Sequence, residues 1–421
     1  MRVRSILFAL LLLPSAGSAQ QAPDALIARG KALYQGEGDT GLSVMLGARA
    51  VPAGGISCAG CHGADAGGGA EVQAGPPIDW QTLSGTRGYT VQALATALIA
   101  GQRPDGSPLG RAMPRFALAA DGDAAALAVY LQAVPGLQRQ GVAADAITFR
   151  FTPATPRAES FRQSFEDEIA RLAPNGIFGR QIRLTTDPRQ PAIASLGEIQ
   201  PGKAGADMPD LFPLATLLGD EDPMQIRGGF APLSAQIAAA IAQAEALQVL
   251  SVPPIADRLR PLLATYPGLG FVQDAETVDP DQPIFVIGAD MLGQVLVTAP
   301  ASPIFATIDD LALIAPPPRG CVAATDPRPA DTTGAGAGAG ATLARYGRVA
   351  AEVLVQAVRN CGPDCTQGRL MAGFDAVQLT DPGWPALDYG RHRLTGSVEA
   401  IVWQVCGGRA RPADPPAGRG G

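Results

Sequence analysis

Residues 58–62 read Cys58-Ala59-Gly60-Cys61-His62. This short run limits the fold more than any other, because it dictates what the surrounding chain must enclose. Two thiols three residues apart can reach the two vinyl groups on one edge of a porphyrin, and the next residue can bring its imidazole beneath the iron. The pattern predicts one covalent haem c, attached through Cys58 and Cys61, with His62 as an iron ligand. Zinc would require four ligands, and no second Cys or His pair lies nearby. A redox dithiol needs no histidine and usually opens a helix in a thioredoxin-like setting.

The start of the chain predicts export. Met1-Arg2-Val3-Arg4 is basic, Ser5 to Leu13 is apolar, and Pro14 to Ala19 ends in small residues. This is the pattern of a secretory leader cut after Ala19, and it implies a periplasmic location. No later stretch offers about 18 uninterrupted apolar residues, so no transmembrane segment is expected in the mature chain. The net charge of -7 argues against nucleic acid or an anionic membrane surface as a main partner.

Six cysteines are present, and an oxidising compartment normally pairs them or ties them to a cofactor. Outside the pentapeptide, Cys321, Cys361, Cys365 and Cys406 form an even set. Cys361-Gly362-Pro363-Asp364-Cys365 follows a helical pattern that should stop at Gly362. A bridge across that turn leaves Cys321 to pair with Cys406. Four cysteines allow three pairings, so the alternatives stay open at this level.

At 421 residues the chain is long enough for two or three domains. Helices are expected over 24–35, 91–100 and 121–134, separated by a long Gly- and Ala-rich loop carrying the pentapeptide and by a loop over 101–114. Residues 137–146 read as a linker. Beyond it, strands at 147–152, 181–184, 248–252, 283–288 and 398–405 alternate with helices at 158–172 and 343–360, which suggests a mostly parallel α/β sheet. Residues 186–230 are proline-rich and only weakly periodic. The Gly-Ala repeat over 334–341 reads as a flexible loop. The resulting division is leader 1–19, first domain 20–136, linker 137–146, second domain 147–410 and disordered tail 411–421.

An iron that does not bind small molecules needs a sixth ligand, and methionine serves. The first domain offers Met45 and Met113. Met113 precedes Pro114 in a loop before the last helix, which favours it as the ligand, while Met45 reads as a gap-filling apolar side chain. With Gly30-Lys31-Ala32-Leu33-Tyr34, Tyr89, Met113-Pro114-Arg115-Phe116 and Ala126 to Leu131, residues 25–134 resemble a class I c-type cytochrome domain. The resemblance implies a small all-α fold of three helices around one haem, His62/Met113 ligation and outer-sphere electron transfer. It also implies a crossing of the first and last helices, with Gly30 and Tyr34 against Leu127 and Tyr130. The carbonyl of Pro76 or Pro77 is expected to orient the proximal imidazole. Arg103, Arg111 and Arg115 flank the methionine loop and are expected either at a docking surface or as solvated cations or holders of a haem propionate.

Residues 147–406 resemble type I periplasmic solute-binding proteins of the branched-chain amino-acid kind. The resemblance is carried by Asn175 to Leu184, Arg345 to Leu354 and Leu387 to Ser397. It implies two α/β lobes joined by hinges, with a ligand in the cleft. The stretch after Leu184 matches poorly, so no ligand-binding residue carries over. His392 reads as a surface histidine in a polar turn. No catalytic constellation or flavin fingerprint is found, so a carrier is expected rather than a self-sufficient enzyme. The leading expectation is a periplasmic monohaem cytochrome passing electrons between a periplasmic dehydrogenase and the respiratory chain, with a periplasmic redox protein as partner. The alternative is a receptor for a small-molecule solute, whose haem reports or gates binding.

Overall fold

The computed structural model describes residues 18–413 apart from 37, 48, 54–55, 70–74, 153–154, 200–207, 224, 245, 299–302, 315–319, 328–338, 381–384, 391–392 and 408. The expected leader lies outside them except for Ser18 and Ala19, as do His392 and most of the Gly-Ala repeat. The chain divides into two compact units, Met1–Gln138 and Arg139–Gly421.

The first unit is built on helices α1 (Ser18–Gln35), α2 (Cys58–His62), α3 (Val91–Ala100) and α4 (Asp123–Leu137). Thr90 caps α3 by accepting from the Ala93 amide, and Gly101 ends it in the left-handed conformation at φ 71°. Asp123 opens α4, where its carboxylate accepts from the Ala119 and Ala120 amides and pairs with Arg29 of α1 at 2.8 Å. The α1–α4 crossing depends on Gly30. A Cβ there would lie 2.1 Å from the Ala126 carbonyl oxygen and 2.5 Å from Tyr130 Cβ. Gly30→Ala is therefore expected to force the helices apart at a cost of about 1–3 kcal/mol. A calorimetric unfolding midpoint unchanged by the substitution would show that the crossing relaxes freely.

The all-α expectation for this unit is corrected. Strands β1 (Ser43–Leu46), β2 (Arg49–Pro52) and β3 (Phe116–Ala117) form an antiparallel sheet in the order β2-β1-β3. The hairpin occupies the stretch read as a loop. Four-residue strands next to the turn glycines Gly41 and Gly47, both at positive φ, are too short to show a period.

The second unit contains two parallel sheets. In chain order, lobe one holds β4 (Ala146–Phe151), α5 (Pro156–Leu172), β5 (Gln181–Thr185), β6 (Ala194–Leu196), β7 (Asp210–Leu211) and β8 (Ile226–Arg227). Lobe two follows with α6 (Leu233–Ile241), β9 (Leu247–Leu250), α7 (Pro253–Leu262), β10 (Leu269–Val272), β11 (Ile284–Val286), α8 (Ala289–Thr298), β12 (Ile304–Thr307), α9 (Ile308–Ala312) and β13 (Cys321–Asp326). The chain then returns through α10 (Ala339–Cys361), α11 (Gln367–Phe374), β14 (Gln378–Leu379) and β15 (Leu387–Asp388). It closes with β16 (Ile401–Cys406) and β17 (Arg409–Pro412). The last strand takes in Arg411 and Pro412, which the sequence reading places in a disordered tail.

Lobe one runs β5-β4-β6-β7-β8 and lobe two β10-β9-β11-β12-β13, extended by antiparallel β16 and β17. Each sheet thus shows its strands in the order second, first, third, fourth, fifth, the doubly wound α/β arrangement. The α/β expectation is met, with a duplication that the sequence does not reveal. Strands β6 to β8 were illegible in the sequence because they are two or three residues long and buried on both faces, which erases alternation. In lobe one α10 packs on α5, with Phe161 against Tyr346 at 5.3 Å between ring centroids. Gly347 permits this contact, since a Cβ there would meet the Phe161 carbonyl oxygen at 2.3 Å. Cys321–Cys406 joins β13 to β16, and Cys361–Cys365 staples the turn after α10. Both are the expected pairings.

Candidate functional site

In the first unit Ser57 caps α2 by accepting from the Gly60 amide, which sets the turn that carries Cys58, Cys61 and His62. These three residues and Met113 line one cavity of about 730 Å³. Its walls are apolar, with Leu83, Leu94, Leu98 and Leu131 among them, and Arg87 and Arg103 supply cations. Such a volume suits an enclosed cofactor.

The imidazole is held from two sides. His62 Nδ1 lies 2.7 Å from the Pro76 carbonyl oxygen. A carbonyl can only accept, so Nδ1 carries the proton and Nε2 keeps its lone pair for a metal. Burial, together with the Arg87 charge, lowers the His62 pKa and favours the neutral ring. Gly75 lies against the ring. A Cβ there would come within 2.5 Å of Nδ1, so only glycine leaves the imidazole in place. The Tyr34 hydroxyl donates to the Gly63 carbonyl at 2.6 Å and anchors the end of α2 to α1.

Cys58 and Cys61 are not bridged to each other. Burial pushes the Cys58 thiol up to about 12, so it is neutral at ordinary pH. A redox-active dithiol needs the opposite shift. The donor set, the cavity and the imidazole orientation all fit a covalent haem, and the thiol chemistry disfavours a thioredoxin-like use.

Arg115 shapes the methionine loop. Its Nη1 donates to the Met113 carbonyl at 2.8 Å, and its guanidinium occupies the space that a Cβ on Gly101 would need. Its own carbonyl accepts from the Met45 amide at 2.8 Å. Arg115 is therefore a half-buried brace for Met113, while Arg103 and Arg111 are exposed. Arg103 is turned to the Ser107 hydroxyl and the Pro108 carbonyl. Met45 sits on β1. The spacing of Arg115 from Met113 could have signalled the brace, but Gly75 gave no signal at all.

The second unit has its own candidate site. Its first crossover between lobes leaves Arg227 at the end of β8, and its second leaves Asp326 at the end of β13. The third enters β16 at Ile401, the register partner of Asp326. Each of these crossovers thus leaves or enters its strand at a carboxyl edge. Two crossovers pair with each other: the Gly228 amide donates to Leu394 O at 2.9 Å and the Gly396 amide to Gly228 O at 3.0 Å. Arg227, fully buried, ties this hinge to α11 by donating to Asp375 at 2.9 Å and to the Met371 and Arg393 carbonyls. In doubly wound sheets ligands bind beyond the carboxyl ends, where the strand order reverses. In lobe one that point lies between β4 and β6, and there Thr152 Oγ1 donates to Glu198 Oε1 at 2.9 Å.

No family model matches the chain, and no curated protein matches it. Solved structures do. A fatty acid ABC transporter substrate-binding protein from Thermomonospora curvata is 15% identical, with 65% of this chain and 93% of that one covered at a TM-score of 0.44. An extracellular ligand-binding receptor from Verminephrobacter eiseniae is 14% identical, with 64% and 100% covered at a TM-score of 0.46. A branched-chain amino acid transporter substrate-binding protein from Streptococcus pneumoniae, solved with isoleucine, is 15% identical, with 64% and 98% covered at a TM-score of 0.44.

These findings overturn the leading functional expectation. The comparisons give no support to a cytochrome passing electrons between a dehydrogenase and the respiratory chain, nor to the expected redox partner. The structures that resemble the chain over about two thirds of its length are named as binding proteins and receptors. The haem motif misled because it is the sharpest signal in the sequence, yet it speaks only for the smaller unit.

Proposed function

We propose that the protein is a periplasmic solute receptor. Its second unit closes on a small solute, and its first unit carries one haem c on Cys58, Cys61, His62 and Met113 that reports or gates that binding. The observation that carries the receptor reading is the duplicated doubly wound sheet, whose crossovers leave or enter at carboxyl edges, where such sheets bind ligands. Among the described residues no helix is long and apolar enough to cross a membrane.

Haem held by an imidazole and a thioether supplies a one-electron iron centre whose spectrum follows its ligands and surroundings. The chain's own residues do the holding. Pro76 O fixes the tautomer of His62, Gly75 gives the ring its space, and Arg115 steadies the loop that presents Met113.

A solute screen tests the receptor reading. Binding to the native state stabilises by about 2.7 kcal/mol at a ligand concentration one hundred times Kd. At least one member of a panel of amino acids, amines, carboxylates and alcohols is expected to raise the unfolding midpoint, and to perturb the Soret band of the haem-loaded protein. If no member of the panel raises the midpoint, the receptor reading falls.

A further inference from the structure

We infer that the cleft of the second unit selects a small aliphatic amine, with the Glu198 carboxylate of lobe one receiving its ammonium group and Ser251 of lobe two offering a hydroxyl. This assignment rests on the receptor reading and adds the chemical class of the solute.

The two residues border the two switch points, one after the third strand of lobe one and the other after the first strand of lobe two. Glu198 follows β6 and Ser251 follows β9, each on a strand that borders its sheet's switch point. Glu198 is half-buried, and Thr152 occupies only one of its carboxylate oxygens. A carboxylate partly withdrawn from water without a paired cation gains from an incoming ammonium. Burial raises the Glu198 pKa, as expected for a carboxylate lacking such a partner.

Arg150 is the cation acting on Glu198. It donates to the Gln190 carbonyl at 2.9 Å, and its Nε is shut away from the surface. A solute carboxylate placed beside Glu198 would be repelled by it. Ser251 is fully buried, and its Oγ has no hydrogen-bond partner among the described residues. A buried hydroxyl left unpaired is costly, and a ligand donor or acceptor removes that cost.

The residue after each polar group supplies the apolar complement. Ile199 is 48% exposed and Val252 is 45% exposed, both branched aliphatics in the segments that follow their strands. A solute with a charged head and a short branched tail satisfies all four positions.

The test is isothermal titration of the full chain at neutral pH with isobutylamine, isobutanol, isovalerate and leucine. Isobutylamine is expected to bind best. Glu198→Gln should weaken it at least tenfold and Ser251→Ala severalfold, with the unfolding midpoints of both variants retained as a folding control. Preferred binding of leucine or isovalerate, with Glu198→Gln leaving affinities unchanged, would overturn the assignment and leave the receptor reading standing. Preferred binding of isobutanol would likewise refute the ammonium assignment. If none of the four binds, the amine class is wrong, and the broader panel decides the receptor reading separately.

Discussion

Protein matured with a cytochrome c maturation system is expected to keep its haem through acid-acetone extraction, while Cys58→Ala/Cys61→Ala loses all of it. Thioether bonds survive denaturation and axial ligation does not, so the loss should be complete rather than graded. Met113→Ala provides the contrast. It should retain the covalent haem but open the iron to carbon monoxide and lower the reduction potential, because thioether ligation favours the ferrous state. The cavity that gathers Cys58, Cys61, His62 and Met113 is the basis for both expectations. Haem extracted from the wild type by acid-acetone would refute the covalent assignment. A Met113→Ala protein with unchanged ligand-field bands would remove Met113 from the iron.

Replacing the long-range bridge, Cys321→Ser/Cys406→Ser, is expected to cost the second unit 4 kcal/mol or more in denaturant unfolding. The bridge closes 85 residues, for which the chain-entropy relation gives about 4 to 5 kcal/mol. The Cys361–Cys365 bridge closes a separation of only 4 residues, and the same relation gives about 2 kcal/mol for its loss in Cys361→Ser/Cys365→Ser. The longer loop is expected to give the larger loss. Equal losses in the two double variants would show that loop length is not the source of the stabilisation.

The sequence was legible where local chemistry forces a choice. Thr90 and Gly101 bound α3 as capping rules require, and the Gly362–Pro363 turn signalled the local disulfide and with it the distant one. It was illegible where the signal lies in tertiary contact. Strands β6 to β8 have no alternation to read because both faces are covered. Gly75 looks like any loop glycine until the imidazole of His62 is seen against it. Glu198 and Ser251 sit in segments without a motif, and only the strand order shows that they border switch points. The error in function had a related cause. A pentapeptide with a sharp chemical meaning outweighed a diffuse α/β pattern that describes most of the chain.

The interleaving of the two lobes bears on how the nascent chain can fold. Strands β4 to β8 are made early, but α10, which packs on α5 and covers lobe one, is made only after the whole parallel run of lobe two. Phe161, Phe165 and Phe149 therefore wait uncovered through much of synthesis, a state prone to aggregation. Lobe two waits in turn for β16, whose Cys406 reaches Cys321 only when the carboxyl end emerges. Each lobe is thus completed only by elements from the carboxyl part of the chain. Such a chain is suited to crossing a membrane unfolded and to acquiring its structure and its long-range bridge together on the far side.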